Sequence, residues 1–487
     1  MSEDVRNLEP TIMWSRFADL NAVPRPSKKE ERVIEFIKEF GKSLGLSTHV
    51  DEVGNVIIKK PASSGMENRK TIVMQSHLDM VHQKNNDTNF DFDSQGIIMY
   101  VEGDWVKARG TTLGADNGIG VASIMAILAS NDIQHPSIEA LFTIDEETGM
   151  TGAMGLKGGL LEGEILLNLD TEDDDELTIG CAGGIDVTAS GTYQIEPAGT
   201  GWSCYQVTIK GLTGGHSGMD IHRGRGNANK LMNRILWNAA NDLALRVHSI
   251  DGGSLRNAIP RESVAIVAIP EGNESKFDAF INQYHETLKL EYSTTDPDLT
   301  LMAESCDPAT TLISAKDQMN LLRSIYACPV GIYRMSPDIE DLVQTSNNLA
   351  RVLVREGSYS IQCLTRSSVD SEKMDEASMI KCIFEQIGAR VEYGGSYPGW
   401  TPRPGADIVK TMSEIYLELF QDEAHVMACH AGLECGILGT NYPDMEMISF
   451  GPNIKGAHSP DERVQISSVQ KYWSLLMETL KRIPSKD

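Results

Sequence analysis

The stretch Asp145-Glu146-Glu147-Thr148-Gly149, which follows an apolar run at 138–144, has the clearest chemical potential in the sequence. Apolar β-formers running into a turn signal are typical of a buried strand that reaches its end. Side chains alternate along a regular strand, but a bend at its end lets two adjacent acids reach one site. One acid could then hold a metal while the other handles a proton. Taken alone, the stretch is more typical of a solvated acidic loop, and the rest of the chain reverses that interpretation.

Two further apolar strands also end in potential metal ligands. The strand at 70–75 leads to His77 and Asp79, which can face one side because they are two residues apart. Asp79 could accept the second ring N–H of a metal-bound His77, although a purely structural pair is the alternative. The strand at 165–169 ends at Asp170. Because sites in open α/β sheets gather at the carboxyl ends of strands, this recurrence indicates one common site.

Two more candidates lie outside the strands. Asp116 precedes a predicted helix of small residues at about 118–130, where the alternative is a helix cap, and His458 lies near the C-terminal end. The whole set contains two histidines and three carboxylates: His77, Asp116, Glu147, Asp170 and His458. Such a mixed N/O set suits zinc, manganese or cobalt, and with a shared carboxylate it can hold two ions about 3.5–4 Å apart. Glu146 is then the candidate general base for an activated water.

The elements that must position these residues fall into three stretches. Residues 1–185 and 397–487 have an α/β texture, whereas 186–396 alternates strands and helices in the manner of an α+β module. Because candidate ligands lie on both sides of the middle stretch, we expect it to be inserted into a domain made from both chain ends. Its part at 300–396 looks like a second unit with a similar order of elements.

Local signals predict two features near the N-terminus. Ser27, followed three residues later by Glu30, matches a capping box for a helix at 28–44. The segment 47–60, with a turn at Asn55, is predicted to form a hairpin.

The composition restricts the partners and the compartment. A chain of 487 residues suggests two or three domains, and its formal charge of −26 argues against nucleic acid or an anionic membrane as the main partner. No apolar run reaches the roughly 18 residues of a membrane span, and the N-terminus lacks a signal-peptide pattern. The eight cysteines are scattered without a CxxC pair, so we expect reduced thiols and a cytoplasmic location.

Taken together, these stretches resemble the di-zinc aminopeptidase/carboxypeptidase family over nearly the whole chain. The shared motifs are Ser76-His77-Leu78-Asp79, Gly114-Ala115-Asp116-Asn117-Gly118, Asp145-Glu146-Glu147-Thr148-Gly149, Asn168-Leu169-Asp170, Gly214-Gly215-His216-Ser217-Gly218 and Ala457-His458-Ser459-Pro460. The segment His430-Ala431-Gly432-Leu433-Glu434-Cys435-Gly436 is similar to bacterial cytosolic dipeptidases of that family. The resemblance implies an α/β fold: a mixed-sheet zinc-exopeptidase catalytic domain with an inserted α+β lid, which could contain two ferredoxin-like units.

The resemblance also implies how the metals are held. Two Zn²⁺ per subunit are expected, with Co²⁺ or Mn²⁺ as alternatives, and Asp116 should bridge them. His77 and Asp170 complete one site, and Glu147 and His458 complete the other.

Residues of the lid are expected to contact the substrate. The position of His216 helps to stabilise the tetrahedral oxyanion in relatives, and Asn257 matches an asparagine thought to act with it. Arg366 is similar to the lid arginine that pairs with the substrate's terminal carboxylate, because a bidentate guanidinium suits a planar anion. The backbone of Gly432 is expected beside it. Whether His216 serves its own chain or the second subunit of a homodimer stays open.

The implied activity is the hydrolysis of small unblocked dipeptides, preferentially those with a C-terminal His, with Glu146 as general base and Asp79 orienting His77. No residue pattern in the sequence itself shows the His preference. An N-acyl amino acid deacylase and a tripeptidase could use the same site. A non-catalytic metal-binding protein that dimerises through the lid is the remaining alternative, and the intact Glu146 argues against it.

Overall fold

The polypeptide builds the first of its two units from both ends of the chain. In the computed structural model, which describes residues 2–486, this unit comprises the chain up to Gly180, Trp400–Ala428 and the chain from Leu433 onward. The second unit comprises Cys181–Gly399 and Cys429–Gly432. None of the helices within residues 2–486 has the length and apolarity that a membrane crossing requires.

An eight-stranded mixed sheet forms the centre of the first unit. Its strands are, in spatial order, Ser47–Val50, Val56–Lys60, Ile138–Thr143, Ile72–His77, Ile165–Asn168, Glu446–Ser449, Glu176–Cys181 and His425–Cys429. Three of them, Ile138–Thr143, Ile72–His77 and Ile165–Asn168, are parallel neighbours in which every residue is buried. Parallel strands covered on both faces need continuous apolar runs, which explains the sequence pattern. Their carboxyl ends therefore meet at one edge of the sheet.

Helices and a small sheet complete this unit. The helices are Ser2–Arg6, Thr11–Asn21, Glu31–Ser43, Ala115–Ala129, Glu146–Gly149, Thr151–Gly155, Asp407–Phe420, Glu434–Asn441 and Ile466–Arg482. The small sheet has the strand order Ile454–Lys455, Arg463–Gln465, Trp105–Ala108 and Met99–Glu102. Ala115–Ala129 is buried on all sides over nearly its whole length, which fits its small and apolar residues.

The capping box predicted at Ser27 is wrong. The helix begins at Glu31, and Glu30 precedes it without a side-chain cap. The Ser27 hydroxyl instead donates to Asp79 Oδ2 at 2.8 Å. The hydroxyl therefore binds a carboxylate from a distant part of the chain rather than a backbone N–H of the following helix. The spacing of residues in the sequence cannot reveal such a partner. The hairpin is confirmed, because Ser47–Val50 pairs antiparallel with Val56–Lys60.

The second unit contains a nine-stranded antiparallel sheet. Its spatial order is Thr300–Ser305, Trp202–Lys210, Ser263–Pro270, Arg246–Gly253, Val343–Arg355, Ser358–Ser367, Gly183–Thr192 and Arg390–Tyr397, with Gly331–Met335 paired to Val343–Arg355. Two short ladders join Ile195–Pro197 to Thr311–Ile313 and Gly215–His216 to Ala258–Ile259. The helices are Ile221–Arg223 (a 3₁₀ turn), Ala228–Asp242, Glu274–Glu291, Ala315–Ala327 and Asp370–Glu385.

Both halves of this sheet have the βαββαβ strand order 4-1-3-2 of a ferredoxin-like unit. The first half consists of the strands from Trp202 to Ser305. The second half does not begin near residue 300, as the sequence suggested, because its first strand is Gly183–Thr192. The first half is thus inserted between the first strand and the first helix of the second half. Strand pairing across such an insertion depends on contacts distant in sequence, so the order of elements alone could not reveal it.

Candidate functional site

The parallel strands of the first unit bring three predicted ligands to one place. His77, Asp116 and Asp170 each offer one ligand atom within 4.8 Å of the other two. His77 Nε2 lies 3.1 Å from Asp116 Oδ1 and 3.4 Å from Asp170 Oδ1. His77 is the last residue of its strand, and Asp170 follows the neighbouring strand by two residues. The ends of two parallel strands, which carry His77 and Asp170, therefore meet the start of the helix that carries Asp116.

A second group of three ligand atoms shares Asp116 with the first. His458 Nε2 lies 3.2 Å from Asp116 Oδ2 and 2.9 Å from Glu147 Oε2. The two oxygens of Asp116 thus face different histidines, the geometry that a bridging carboxylate requires. His458 is the exposed member, with 55% of its side chain accessible, whereas Glu147 is 3% exposed.

The donor set fits a pair of divalent cations. Imidazole nitrogens and carboxylate oxygens without a thiolate suit zinc in an open site. Glu147 Oε1 is buried without a hydrogen-bond partner, which is costly unless a cation meets it. Three carboxylates in this small volume repel one another, and bound cations would remove that repulsion.

The pKa shifts describe how the protein balances these charges without an ion. Hydrogen bonds to Asp116 and Glu147 raise the pKa of His458 to about 11. Burial lowers the pKa of His77, but Asp170, Asp116 and Asp79 outweigh it, and the pKa lies well above the ordinary value. Burial would raise the pKa of Asp116, yet the two histidines hold it well below its usual range. Both shifts favour the protonated imidazoles when no ion is bound, so protons compete with metal ions for this site.

Glu146 stands beside the two groups on a bent backbone. Asp145 has a positive φ of 54°, and its carboxylate accepts hydrogen bonds from Lys28, Thr148 and Thr151. This bend breaks the strand alternation, so that adjacent acids serve one site. Burial raises the pKa of Glu146 well above the ordinary value, and the charges of nearby carboxylates add to this effect. A raised pKa suits a carboxylate that accepts a proton near neutral pH.

Asp79 connects a ligand ring to the acidic segment. It is fully buried, and its Oδ1 lies 3.4 Å from His77 Nδ1. The same carboxylate accepts the backbone N–H groups of Glu146, at 3.0 Å, and Glu147, at 3.3 Å. Ser27 Oγ provides the third hydrogen bond to this carboxylate. Asp79 therefore lies beside His77 Nδ1 and also holds the backbone of the candidate base.

Sequence reasoning assigned no role to two buried charges at this site. Glu462 accepts four backbone N–H groups in the turn that leads to Asp116, and Arg25 donates to backbone carbonyls of two turns. Burial raises the pKa of Glu462 to about 7 and lowers that of Arg25 to about 10. Glu462 lies four residues after the candidate ligand His458, and this proximity could have indicated a role at the site. The sequence around Arg25, which lies between two prolines, gives no such indication.

Glu434, whose motif was noted without a role, ends a buried polar network beneath the parallel strands. Its Oε2 accepts from Gln75 Nε2 and Thr143 Oγ1, both at 2.6 Å, and Gln75 accepts from Asn168 at 2.5 Å. The three strands that lead to His77, Glu146 and Asp170 thus each contribute one buried polar side chain. Burial raises the pKa of Glu434 to about 8.

The second unit gathers the predicted substrate-contacting residues around one loop. Arg366 Nη2 lies 3.5 Å from His216 Nε2, and Arg366 Nη1 donates to the Tyr397 hydroxyl at 2.8 Å. Ser217, next to His216, donates its backbone N–H to the carbonyl of Asn257 at 2.8 Å. A Cβ at Gly218 would lie 2.0 Å from the carbonyl oxygen of His430, so that only glycine allows this loop to pack there.

That packing places the segment 429–432, which contains Gly432, against the His216 loop. The structure therefore brings the loops of His216, Asn257 and Gly432 together with the strand that carries Arg366, all within the second unit. Tyr397, which orients the guanidinium, was not predicted.

The hydrogen bonds of His216 determine its tautomer. Its Nδ1 accepts backbone N–H groups from Gly218, at 3.2 Å, and Met219, at 3.0 Å. Burial and the charge of Arg366 lower the pKa of His216, so the ring is neutral at pH 7. A neutral ring with an accepting Nδ1 carries its proton on Nε2. Nε2–H and the Arg366 guanidinium are then two converging donors, an arrangement that suits an anion.

Fold and site together define a metal-dependent hydrolase: a parallel-strand edge with two His/carboxylate groups and a carboxylate of raised pKa beside them. The chain belongs to peptidase family M20/M25/M40, whose model matches residues 73–482, and it is thus a metallopeptidase. The predicted family and fold class are confirmed.

Full-length relatives exist among known proteins. The chain is 44% identical over 486 residues to the cytosol non-specific dipeptidase of Escherichia coli, covering 100% of both chains. The crystal structure of aminoacylhistidine dipeptidase from Vibrio alginolyticus matches with a TM-score of 0.95 and 44% identity over 100% of both chains. Aminopeptidase PepT from Bacillus cereus, at 15% identity and a TM-score of 0.57 over 98% of this chain and 99% of that one, shares the fold.

Proposed function

We propose that this protein hydrolyses unblocked dipeptides at a pair of divalent metal ions, with zinc as the expected metal. The observation that supports this most directly is the pair of ligand groups joined through Asp116, with Glu146 beside them. The full-length similarity to two proteins that are named as dipeptidases supports the substrate class. A preference for C-terminal His is part of the proposal, and one of these relatives is called non-specific, so the preference needs a direct test.

The ligand residues would divide into two triads. His77, Asp116 and Asp170 would hold one ion, and Asp116, Glu147 and His458 the other. Bound there, the ions would polarise the scissile carbonyl and lower the pKa of a water molecule.

Glu146 would accept the proton of the attacking water and pass it to the leaving amine, and its raised pKa suits both transfers. Asp79 would keep His77 in the tautomer that leaves Nε2 free for the metal, and it would fix the backbone of Glu146 through the N–H that it accepts.

The donors of the second unit would bind the two anionic parts of the reacting substrate. His216 Nε2–H would donate to the oxyanion together with the Asn257 amide. Arg366, oriented by Tyr397, would pair with the C-terminal carboxylate, and the Gly432 backbone would lie beside that carboxylate. A donor that pairs with a terminal carboxylate would select peptides with a free C-terminus.

The deciding experiment is hydrolysis of a small substrate panel by the purified protein with zinc and after metal removal. The panel contains Gly-His, carnosine, Gly-Leu, a tripeptide and an N-acetyl amino acid. Metal-dependent cleavage of the dipeptides alone is the expected result, and the ratio of His to Leu substrates measures the preference. Cleavage mainly of the acetylated substrate would instead identify a deacylase, and cleavage mainly of the tripeptide would identify a tripeptidase.

A further inference from the structure

Two ligand-bearing turns of the first unit are joined by one buried carboxylate. Glu462 is 3% exposed, and its Oε1 accepts the N–H groups of Ala115, at 2.7 Å, and Asp116, at 3.3 Å. Its Oε2 accepts those of Leu113, at 2.7 Å, and Gly114, at 3.0 Å. Four successive N–H groups around one carboxylate form an anion-binding nest, here filled by the protein's own side chain.

The same glutamate lies in the turn that holds His458. Glu462 N donates to Ser459 O at 3.1 Å, and Ser459 N donates to Gly456 O at 3.2 Å, so residues 456–462 form a closed, tight segment. His458 itself is 55% exposed and has a positive φ of 63°. An exposed side chain on a short turn gains its position from whatever anchors the turn, and Glu462 is the buried anchor.

Arg25 holds the 113–116 turn from its carbonyl side. Arg25 is 1% exposed, and its guanidinium donates through Nη2 to Gly114 O at 2.5 Å. Through Nη1 it donates to the carbonyls of Leu78 and Asp79, both at 3.1 Å. A Cβ at Gly114 would lie 2.5 Å from Nη2, so the contact depends on glycine. A buried cation and a buried anion thus clamp one turn and compensate each other's charge.

We propose that Glu462 is a positioning residue that sets His458 and the shared carboxylate of Asp116 at metal-binding distance, so that it governs mainly the ion held by Asp116, Glu147 and His458. This inference rests on the ligand set of the proposed function. The competing role is purely structural: Glu462 satisfies the free N–H groups at the start of helix Ala115–Ala129, whose preceding residue Gly114 supplies no side-chain cap.

Glu462→Gln tests the proposal, because the amide keeps the size and turns one oxygen into a donor that faces two N–H groups. Glu139→Gln is the matched control. Glu139 is also 3% exposed and accepts two backbone N–H groups in the same unit, from Glu162 at 2.7 Å and Gly163 at 2.9 Å, but that turn holds no ligand.

Two readouts separate positioning from stability: zinc titration of the metal-free protein against a chelating indicator, and thermal unfolding in EDTA. We expect E462Q to bind one of two zinc ions about 10- to 100-fold more weakly, which is the usual cost of losing a residue that supports a metal ligand. The melting temperature of metal-free E462Q should fall no further than that of E139Q. Unchanged zinc affinity in E462Q, or an equal loss in E139Q, overturns the proposal.

A mutant cycle tests whether the effect passes through His458. If it does, E462Q introduced into His458→Ala should weaken zinc binding clearly less than E462Q does in the wild-type protein, because coupled changes are not additive. Full additivity overturns the proposal.

If E462Q does not fold, Glu462→Asp is judged by the same measurements, and failure of both variants to fold assigns Glu462 a structural role. Wild-type protein that binds fewer than two ions would contradict the ligand set itself, a result distinguishable from any behaviour of the variants.

Discussion

Replacement of Asp79 by Asn perturbs the site at the point where the most contacts meet. The wild-type carboxylate accepts three hydrogen bonds, from Glu146 N at Oδ1 and from Ser27 Oγ and Glu147 N at Oδ2. Its Oδ1 also lies 3.4 Å from His77 Nδ1. An amide offers one oxygen only. The Ser27 hydroxyl can rotate to accept a hydrogen bond, whereas a backbone N–H cannot, so the amide nitrogen should take the Oδ2 side.

The expected loss follows from that orientation. The Glu147 N–H loses its acceptor, the weakest of the three hydrogen bonds at 3.3 Å, and the negative charge beside His77 disappears. Hydrogen bonds to charged groups contribute about 1.5–3 kcal/mol each, and 2–3 kcal/mol corresponds to a roughly 30- to 150-fold change in binding. Lost partners of metal-bound histidines typically cost about 10- to 100-fold. We therefore expect D79N to bind zinc about 10- to 100-fold more weakly, mainly at the site that contains His77.

The assay is a two-site zinc titration of metal-free protein against a chelating indicator, with kcat/KM on Gly-His measured in parallel. Ser27→Ala is the matched control, because it removes the donor at 2.8 Å and leaves the carboxylate intact. Because S27A keeps the negative charge beside His77 and both backbone hydrogen bonds, the control should lose clearly less zinc affinity than D79N. Zinc affinity of D79N within about threefold of wild type, well below the loss typical of such partners, would refute the reasoning, as would an equal loss in S27A.

Three further predictions concern the base, the substrate's carboxylate and the protons of the site. Glu146→Gln should lower kcat by roughly 10²–10⁴ because an amide cannot accept the proton, while two zinc ions still bind; a kcat within about tenfold of wild type contradicts this role. Arg366→Lys should raise the KM for dipeptides by about tenfold or more, because the bidentate pair with the C-terminal carboxylate is lost. The KM for dipeptide amides, which lack that carboxylate, should change little. Equal effects on both substrates contradict the assignment. Zinc binding at pH 7 should release protons, because the pKa of His458 is about 11 and that of His77 lies well above its ordinary value. Zinc affinity should therefore fall as the pH falls. Calorimetry in buffers of different ionisation enthalpy measures this proton release, and its absence would contradict the prediction.

Much of the site could be predicted because its residues are encoded locally. Buried parallel strands are continuous apolar runs, and a strand that ends in His77 or is followed by Asp170 announces where its carboxyl end lies. The bend at Asp145 is local too, since an acid cluster followed by Thr-Gly marks a turn. The α/β class, the hairpin and the meeting of the five candidate ligands therefore followed from spacing, motifs and resemblance.

The tertiary structure alone determined the contacts between residues that are far apart in the chain. Ser27 satisfies a local capping pattern but donates to Asp79, and Glu462 binds backbone groups about 350 positions earlier. Sequence periodicity reports which face of an element is apolar. Sequence periodicity does not indicate which buried charged side chain will bind main-chain groups.

The interleaved ferredoxin-like halves of the second unit have the same origin. Antiparallel pairing is selected by packing between whole elements, and Gly183–Thr192 pairs with Ser358–Ser367 across the entire first half. By itself, the sequence determined which residues could do chemistry and on which elements they lie. Only the fold decided which buried charges hold them in place, because such contacts form by packing between distant segments rather than by local propensity.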